Sequence, residues 1–569
     1  MDALTPDPAE RRPSITRLLV ALRRQMPHDA AVSSLCLPFA LLLARHLRFD
    51  AADPHWPDRD RVVLASPAAG LGVAATALLG AQHMLFHTAA QALGCATGLA
   101  LAERTLAARF GRSLVDHRSW VLGTGTDLAA GASLEAAWLA GHWRLGRLTL
   151  IETVPASDAP GLAGFSASGW SVRRVAADDA GEIASAISAA LRSVRPTLIA
   201  VVRRHAGGAS APGDPARAEP CTLAESQAAW RIAGKRLAGT RRGWLKRLAR
   251  HASRPDFDQA AGRRLAGRWH AALYEPGPLL PAGEPTISTA ATLRAAMARL
   301  AAAMPDLLVL PVPGPAACLA GGVAAALCGV AMHDGLVPIG MHALTELDRV
   351  RPALREAASL QLRLLLVLEE PATPCPDGAD LVSLRAMRNV AVFRPADASE
   401  LLECLDLALR RTAGPSVVLV SEARMTLLGD CPSRTRCARG GHIVAEPVSP
   451  RQVTLIASGT DMLAAQAARQ ALTKSGVAAA LVSLPSWDLF ALQERGWRER
   501  VLGAAPLVAL EAGSGLGWER WVGAQGLFID TRANDGSLAS AAPAQYPQIL
   551  AGQLAAEAIL RHLDARQTH

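Results

Sequence analysis

The side chains that could do chemistry here are few. His83, His87 and His333, with Asp127 and Asp334, are the imidazoles and carboxylates from which an acid–base cluster could be built, if the fold brings them together and shifts their titration. Each also has a plainer reading. His83 and His87 read as satisfied helix-face histidines, and Asp127, after Leu122-Gly123-Thr124-Gly125-Thr126, reads as the N-cap of a helix beginning near Leu128. The nine cysteines contain no C-x-x-C pair, and an odd number cannot all pair within one chain. Buried free thiols are expected.

Charge offers a second candidate. The chain carries a net charge of +9, and its densest cluster is Arg231, Lys235, Arg236, Arg241, Arg242, Lys246, Arg247 and Arg250. These lie on an expected helix whose apolar positions include Ile232, Leu237, Trp244 and Leu248. A solvated face is one reading of Arg231–Arg250; contact with an acidic protein partner or anionic lipid is the other. Only 4% of residues are aromatic, which argues against stacking platforms, so no nucleic-acid partner is expected.

The elements that must position these groups follow an α/β cadence. A chain of 569 residues suggests about three or four domains. From Val62 to Val202, short apolar runs such as Trp120-Val121-Leu122 and Leu148 to Ile151 alternate with Ala-rich helical stretches, as in βαβ units on a parallel sheet. Gly207 to Pro220 breaks the cadence. Strand-like runs return at Leu307-Leu310, Leu364-Leu368, Val390-Phe393 and Val417-Val420, then again from Thr454 onward. The uncharged stretch Leu307 to His333 is interrupted by Pro311, Pro313 and Pro315, and its unbroken part, Ala316 to Met332, falls at or below the roughly 20 residues of a membrane span. A buried strand, loop and helix are expected there, with no transmembrane segment. The opening Met1 to Arg24 lacks the pattern of a secretory signal, so a cytoplasmic location is expected.

Several motifs resemble the transketolase family. Ala457-Ser458-Gly459-Thr460-Asp461, Ser483 to Phe490 with Gln493, and Glu511-Ala512-Gly513 with Trp518 are similar to its C-terminal domain. Trp56 to Arg61, Ala102 to Leu106, Val115-Asp116-His117 and Leu139-Ala140-Gly141 resemble its N-terminal domain. Met332 to Pro338, Phe393-Arg394-Pro395 and Ala438 to Gly441 resemble the middle one. The resemblance implies three consecutive α/β domains with mainly parallel sheets: a diphosphate-binding-like domain (1–206), a linker with the basic segment (207–285), a pyrimidine-binding-like domain (286–445) and a C-terminal domain (446–569). It also implies a homodimer, with thiamine diphosphate and magnesium serving transfer of a two-carbon ketol unit between sugar phosphates.

Carried over position by position, the family's site is degenerate. Its metal-binding Asp falls on Thr124 or Gly125, with Asp127 as a displaced candidate, and its Asn falls on Pro155. Its diphosphate histidine becomes Ala68, its glycine-rich loop keeps only Gln91, and His28 stands where an N-terminal histidine motif is broken by Asp29-Ala30. The glutamate that activates the cofactor falls on Ala320, thirteen residues before His333. The stacking aromatics become Ala343 and Glu346, and the phosphate-binding arginines become Thr289 and Glu422. These losses lead to the expectation of no catalytic residue, no metal ligand and no bound cofactor. The chain is then a transketolase-like pseudoenzyme with a structural, regulatory or scaffolding role. A thiamine-independent enzyme or binder using the old cleft, and an atypical active transketolase, are the alternatives.

Overall fold

Apolar runs of three to eight residues, most of them covered on both faces, form most of the parallel strands of this chain. The computed structural model describes residues 30–65, 84–86, 89–124, 131–155, 159–203, 222–262, 269–274, 285–311, 319–371, 379–428, 435–532 and 546–567, with isolated positions before residue 30 and at 68. Two units emerge from the chain's contacts: Met1–Arg264 with Pro313–Leu336, and Leu265–Val312 with Val337–His569.

In the first unit, β1 (Arg61–Ala65), β2 (Met84–Phe86), β3 (Ser119–Thr124), β4 (Leu148–Pro155), β5 (Ser171–Ala176) and β6 (Thr197–Arg203) form one parallel sheet in the order β2-β1-β3-β4-β6-β5. Alternate residues feed opposite cores, as the two-residue repeat of a strand requires. Leu64, Trp120, Leu122 and Ile199 pack with Leu35 and Phe39 on one side, while Val63, Val121 and Leu198 pack with Leu93, Leu99 and Phe165 on the other.

The second face is built by α1 (Ala89–Phe110), α2 (Gly131–His142) and α3 (Ala320–His333). Two glycines let α1 and α3 touch backbone to backbone: a Cβ on Gly98 would lie 1.8 Å from the Ala326 carbonyl oxygen, and one on Gly329 would lie 1.9 Å from that of Cys95. A helix apolar on nearly every face suggests cover by a second chain, but α3 is already buried from Ala320 to Val330 by its own unit. Its apolarity therefore carries no argument for a dimer.

In the second unit β7 (Ile287–Ser288) pairs antiparallel with Arg424–Met425, and a parallel five-stranded sheet, β11-β12-β10-β9-β8, is made from β8 (Leu307–Pro311), β9 (Val337–Ala343), β10 (Leu365–Glu369), β11 (Ala391–Phe393) and β12 (Ser416–Val420). Residues 442–530 add a mixed five-stranded sheet, of which His442–Ala445 is the antiparallel edge. The fold is therefore three consecutive α/β sheets, mainly parallel. The cysteines at 36, 95, 328, 404 and 437 are buried and in no disulfide. Among the described residues no helix is long and apolar enough to cross a membrane.

Candidate functional site

Open α/β sheets bind ligands beyond the carboxyl ends of their strands. In the first unit β3 ends there on the buried Thr124, β4 ends on Pro155, Ala68 lies fully buried in a turn after β1, and Gln91 sits near the start of α1. His28, His83, His87, Gly125 and Asp127 lie outside the described residues. The described groups at the family's positions are thus a hydroxyl, an amide and two side chains without polar atoms. Hard carboxylate ligands for a divalent cation are not among them.

Ala320 opens α3 and is fully buried. Two residues later the backbone N–H of Gly322 donates to Glu135 Oε2 at 2.6 Å, placing a carboxylate at the positive end of the helix. Glu152 is a second carboxylate at this edge; it is buried on β4 in register with Gly123 of β3. Sequence reasoning missed both. The available signal was that each is the lone charged residue of its apolar element, Gly131–His142 without its terminal histidine and Leu148–Pro155.

Of the five groups proposed as an acid–base cluster, His333 and Asp334 are described, and the fold joins them to His117. The two rings meet Nε2 to Nε2 at 2.7 Å; His333 Nδ1 lies 2.8 Å from its neighbour's carbonyl at Asp334, and His117 Nδ1 lies 3.4 Å from Asp58 Oδ1. Burial, then the positive charge of Arg61, holds both imidazoles well below their ordinary pKa. Two neutral rings carry two N–H protons for three links. With His333 Nδ1 donating to the carbonyl and His117 Nε2 donating to His333, the link to Asp58 has none, and it is the long one. Asp58 instead accepts from the Asp116 backbone at 2.6 Å and from Arg48 at 2.7 Å. Both rings are buried, so the pair ties the end of α3 to the chain entering β3.

The remaining positions lie in the second unit. Ala343 is exposed at the end of β9, and Glu346 accepts its backbone N–H at 3.2 Å, so the residues standing for stacking rings form a local turn cap. Thr289 exchanges hydrogen bonds with the Ser421 backbone. Glu422 is bound by Arg294 at 2.6 Å and by Ser288 at 3.2 Å, and the Arg294 bond lowers its pKa. At the position that the resemblance assigns to a phosphate-binding arginine, this chain thus holds a carboxylate kept in its charged form by Arg294.

Other motif residues of this unit form a satisfied charge network. Arg394 bonds Glu370 at 2.7 Å and Asp461 at 2.5 Å, and Arg385 clasps Glu511 with bonds of 2.8 and 2.9 Å. Trp518 Nε1 donates to Glu511 at 3.0 Å. Glu400, Cys437 and His442 have donor atoms within 4.8 Å of one another, a set of types that can ligate metal. Here the imidazole Nε2–H is given to Glu400 Oε1 at 2.8 Å. In the basic segment, Arg241 pairs with Asp50 and Asp53, Arg236 donates to the Leu47 carbonyl, and Trp244 is buried with its Nε1–H on the Leu114 carbonyl. Part of Arg231–Arg250 therefore serves internal packing.

Comparison with known proteins adds a separate line of observation. Residues 88–227 match the family model of the transketolase thiamine diphosphate binding domain, 321–426 that of the transketolase pyrimidine binding domain, and 440–534 that of the transketolase-like C-terminal domain. The chain is 31% identical to a transketolase of Cereibacter sphaeroides, covering 92% of this chain and 93% of the relative. It is 28% identical to that of Sinorhizobium medicae, covering 86% and 84%. A solved transketolase from Leishmania mexicana superposes with a TM-score of 0.82 over 98% of each chain at 21% identity, which bears on fold. These matches correct the expectation of no cofactor. The first sheet belongs to a thiamine diphosphate binding domain, and relatives similar over nearly their whole length are transketolases. Thiamine diphosphate is the cofactor that this family's binding domain implies; at the positions that the resemblance assigns to its pyrophosphate and metal contacts the chain holds Ala68, Thr124 and Pro155.

Proposed function

The chain belongs to the transketolase family, and from that premise we propose that it is a relative in which ketol transfer has been given up and a cytoplasmic homodimer serves a structural or regulatory role. The proposal concerns the transfer step, not the presence of the binding domain. Thiamine diphosphate supplies a nucleophilic carbon when its aminopyrimidine is held by a glutamate; the chain's own residue at that position is Ala320, which has no proton to hold or move. That single observation carries the reading. Glu422, ionised and bound to Arg294 where the family binds a sugar phosphate, supports it from an independent segment.

The test is a coupled assay for ketol transfer from a ketose phosphate to an aldose phosphate, with the full chain at saturating thiamine diphosphate and magnesium. No turnover above the protein-free rate is expected. Sustained turnover would overturn the proposal. One observation favours a second reading, an atypical active transketolase: Glu135 stands at the first turn of α3, within 2.6 Å of Gly322 N. Turnover that disappears in Glu135→Gln, with folding retained, would establish that carboxylate as the substitute.

A further inference from the structure

We infer that a cavity on the amino-terminal edge of the first sheet is a binding site for a small, multiply phosphorylated anion. It has a volume of about 370 Å³ and is lined by Arg104, Arg112, Arg118, Arg144, Arg147 and Arg192 against a single carboxylate, Glu103. Arg118 immediately precedes β3 and Arg147 immediately precedes β4, whereas Thr124 and Pro155 end those same strands. The cavity is therefore at the opposite edge from the positions of the family's cofactor.

Among the described residues, carboxylates answer only part of this charge. Glu103 is bonded by Arg112, and Asp116 takes Arg147 at 2.5 Å and lies 3.6 Å from Arg112. Among the described residues the Arg118 side chain bonds only carbonyls, at Gly146 and Leu191, and Arg104 bonds the carbonyl of Trp143. Arg144 and Arg192 form no ion pair among the described residues. Arg118 is 93% buried, its relative exposure being 7%, and burial followed by the charge of Arg147 lowers its pKa to about 10. Burial also raises Glu103 to about 7, so the one lining carboxylate is itself a weak counter-charge. A buried guanidinium beside another, hydrogen-bonded only to carbonyls and with Asp60, Asp116 and Glu103 acting on it only through their field, is costly unless an anion completes the set.

Backbone geometry shapes the same cavity. Gly146 lets the chain at Val194 lie against it, since a Cβ there would come within 2.7 Å of the Val194 carbonyl carbon. Arg144 holds a φ of 51°, a conformation usually left to glycine or asparagine. Forked guanidinium groups converging from four segments suit several phosphate oxygens at once, whereas a single phosphate would engage only part of the set.

The test is calorimetric titration of the full chain with sodium triphosphate, in chelator and at about 0.1 M salt so that long-range attraction is screened. One site per chain is expected, with orthophosphate binding at least about tenfold more weakly. Arg144→Gln/Arg192→Gln, at exposed positions, should weaken triphosphate about tenfold or more. Arg242→Gln/Arg250→Gln removes the same charge from the basic helical segment and should change affinity by less than about twofold. Absence of saturable binding, equal affinity for orthophosphate, or equal weakening by both double variants would each overturn the inference. Because chelator removes magnesium and the variants lie at the far edge of the sheet, this outcome is independent of whether ketol transfer occurs.

Discussion

His333 in the first unit and His442 in the second are both buried, yet their surroundings set them in opposite states. His333 meets a second imidazole, a carbonyl and the field of Arg61, so burial wins and the ring is neutral. Burial would lower His442 too, but the hydrogen bond and charge of Glu400 outweigh it and raise its pKa. Both of its ring nitrogens face acceptors, Glu400 Oε1 at 2.8 Å and the Ile443 carbonyl at 3.4 Å, as a doubly protonated ring requires. A buried histidine's charge thus follows from whether a carboxylate reaches it directly. Asp58 stops 3.4 Å short of His117 because Arg48 and a backbone N–H already hold it.

Removing that carboxylate is the sharpest way to break the contrast. Glu400→Gln should leave His442 buried without its counter-charge and turn it into a neutral ring like His333. The expected cost is about 3–5 kcal/mol, the range for breaking one partner out of a buried pair, read as a lowered urea midpoint. Stability unchanged within error would show that the pair contributes nothing and that the contrast is only geometric.

The pH dependence of stability should separate the two sites next. For His117 and His333 the folded pKa is depressed, so the unfolded chain binds more protons below pH of about 6.5; their contribution is present above that value and is lost as pH falls through it. For His442 the folded pKa is raised, so its contribution is full below about 6.5 and is lost as pH rises through the folded value. Glu400, depressed by His442 despite its burial, keeps its share until pH falls below about 4.5. Each imidazole can contribute a slope of up to about 1.4 kcal/mol per pH unit. His117→Gln/His333→Gln should flatten the acid side alone; flattening on the alkaline side would contradict the assignment.

Much of the fold was legible because strands declare themselves locally. Leu364-Leu368 and Val417-Val420 are apolar runs that pair in register as β10 and β12. Phe393-Arg394-Pro395 and Glu511-Ala512-Gly513 stood out as motifs, and in space they meet through Arg394 and Glu511, which lie 3.6 Å apart. What was not legible depends on pairings across long separations. His117 was noted only as a motif residue because its partner lies 216 positions away. The cover over α3 depends on Gly98 meeting Ala326, and nothing local to either helix announces that contact. The arginine cavity draws on segments near 104, 118, 146 and 192, so no window of sequence contains it. At the cofactor edge, nothing local in the sequence says that Glu135 would sit against α3.

The smallest expected effect comes from keeping the hydrogen bond at His442 while removing only its charge. His442→Gln can still place an amide N–H toward Glu400 Oε1, and Glu400 retains the Ala396 backbone N–H on its other oxygen at 2.8 Å. The carboxylate is therefore not orphaned, and the loss is the difference between a charged and a neutral donor, about 1 kcal/mol. Arg436, Glu403 and Asp397, which also carry charge near this site, are left in place. The variant should lose the alkaline decline in stability and leave the acid side attributed to His117 and His333 unchanged. A cost as large as that of Glu400→Gln would mean that the charge of His442, rather than the orphaning of a partner, accounts for the energy of the pair.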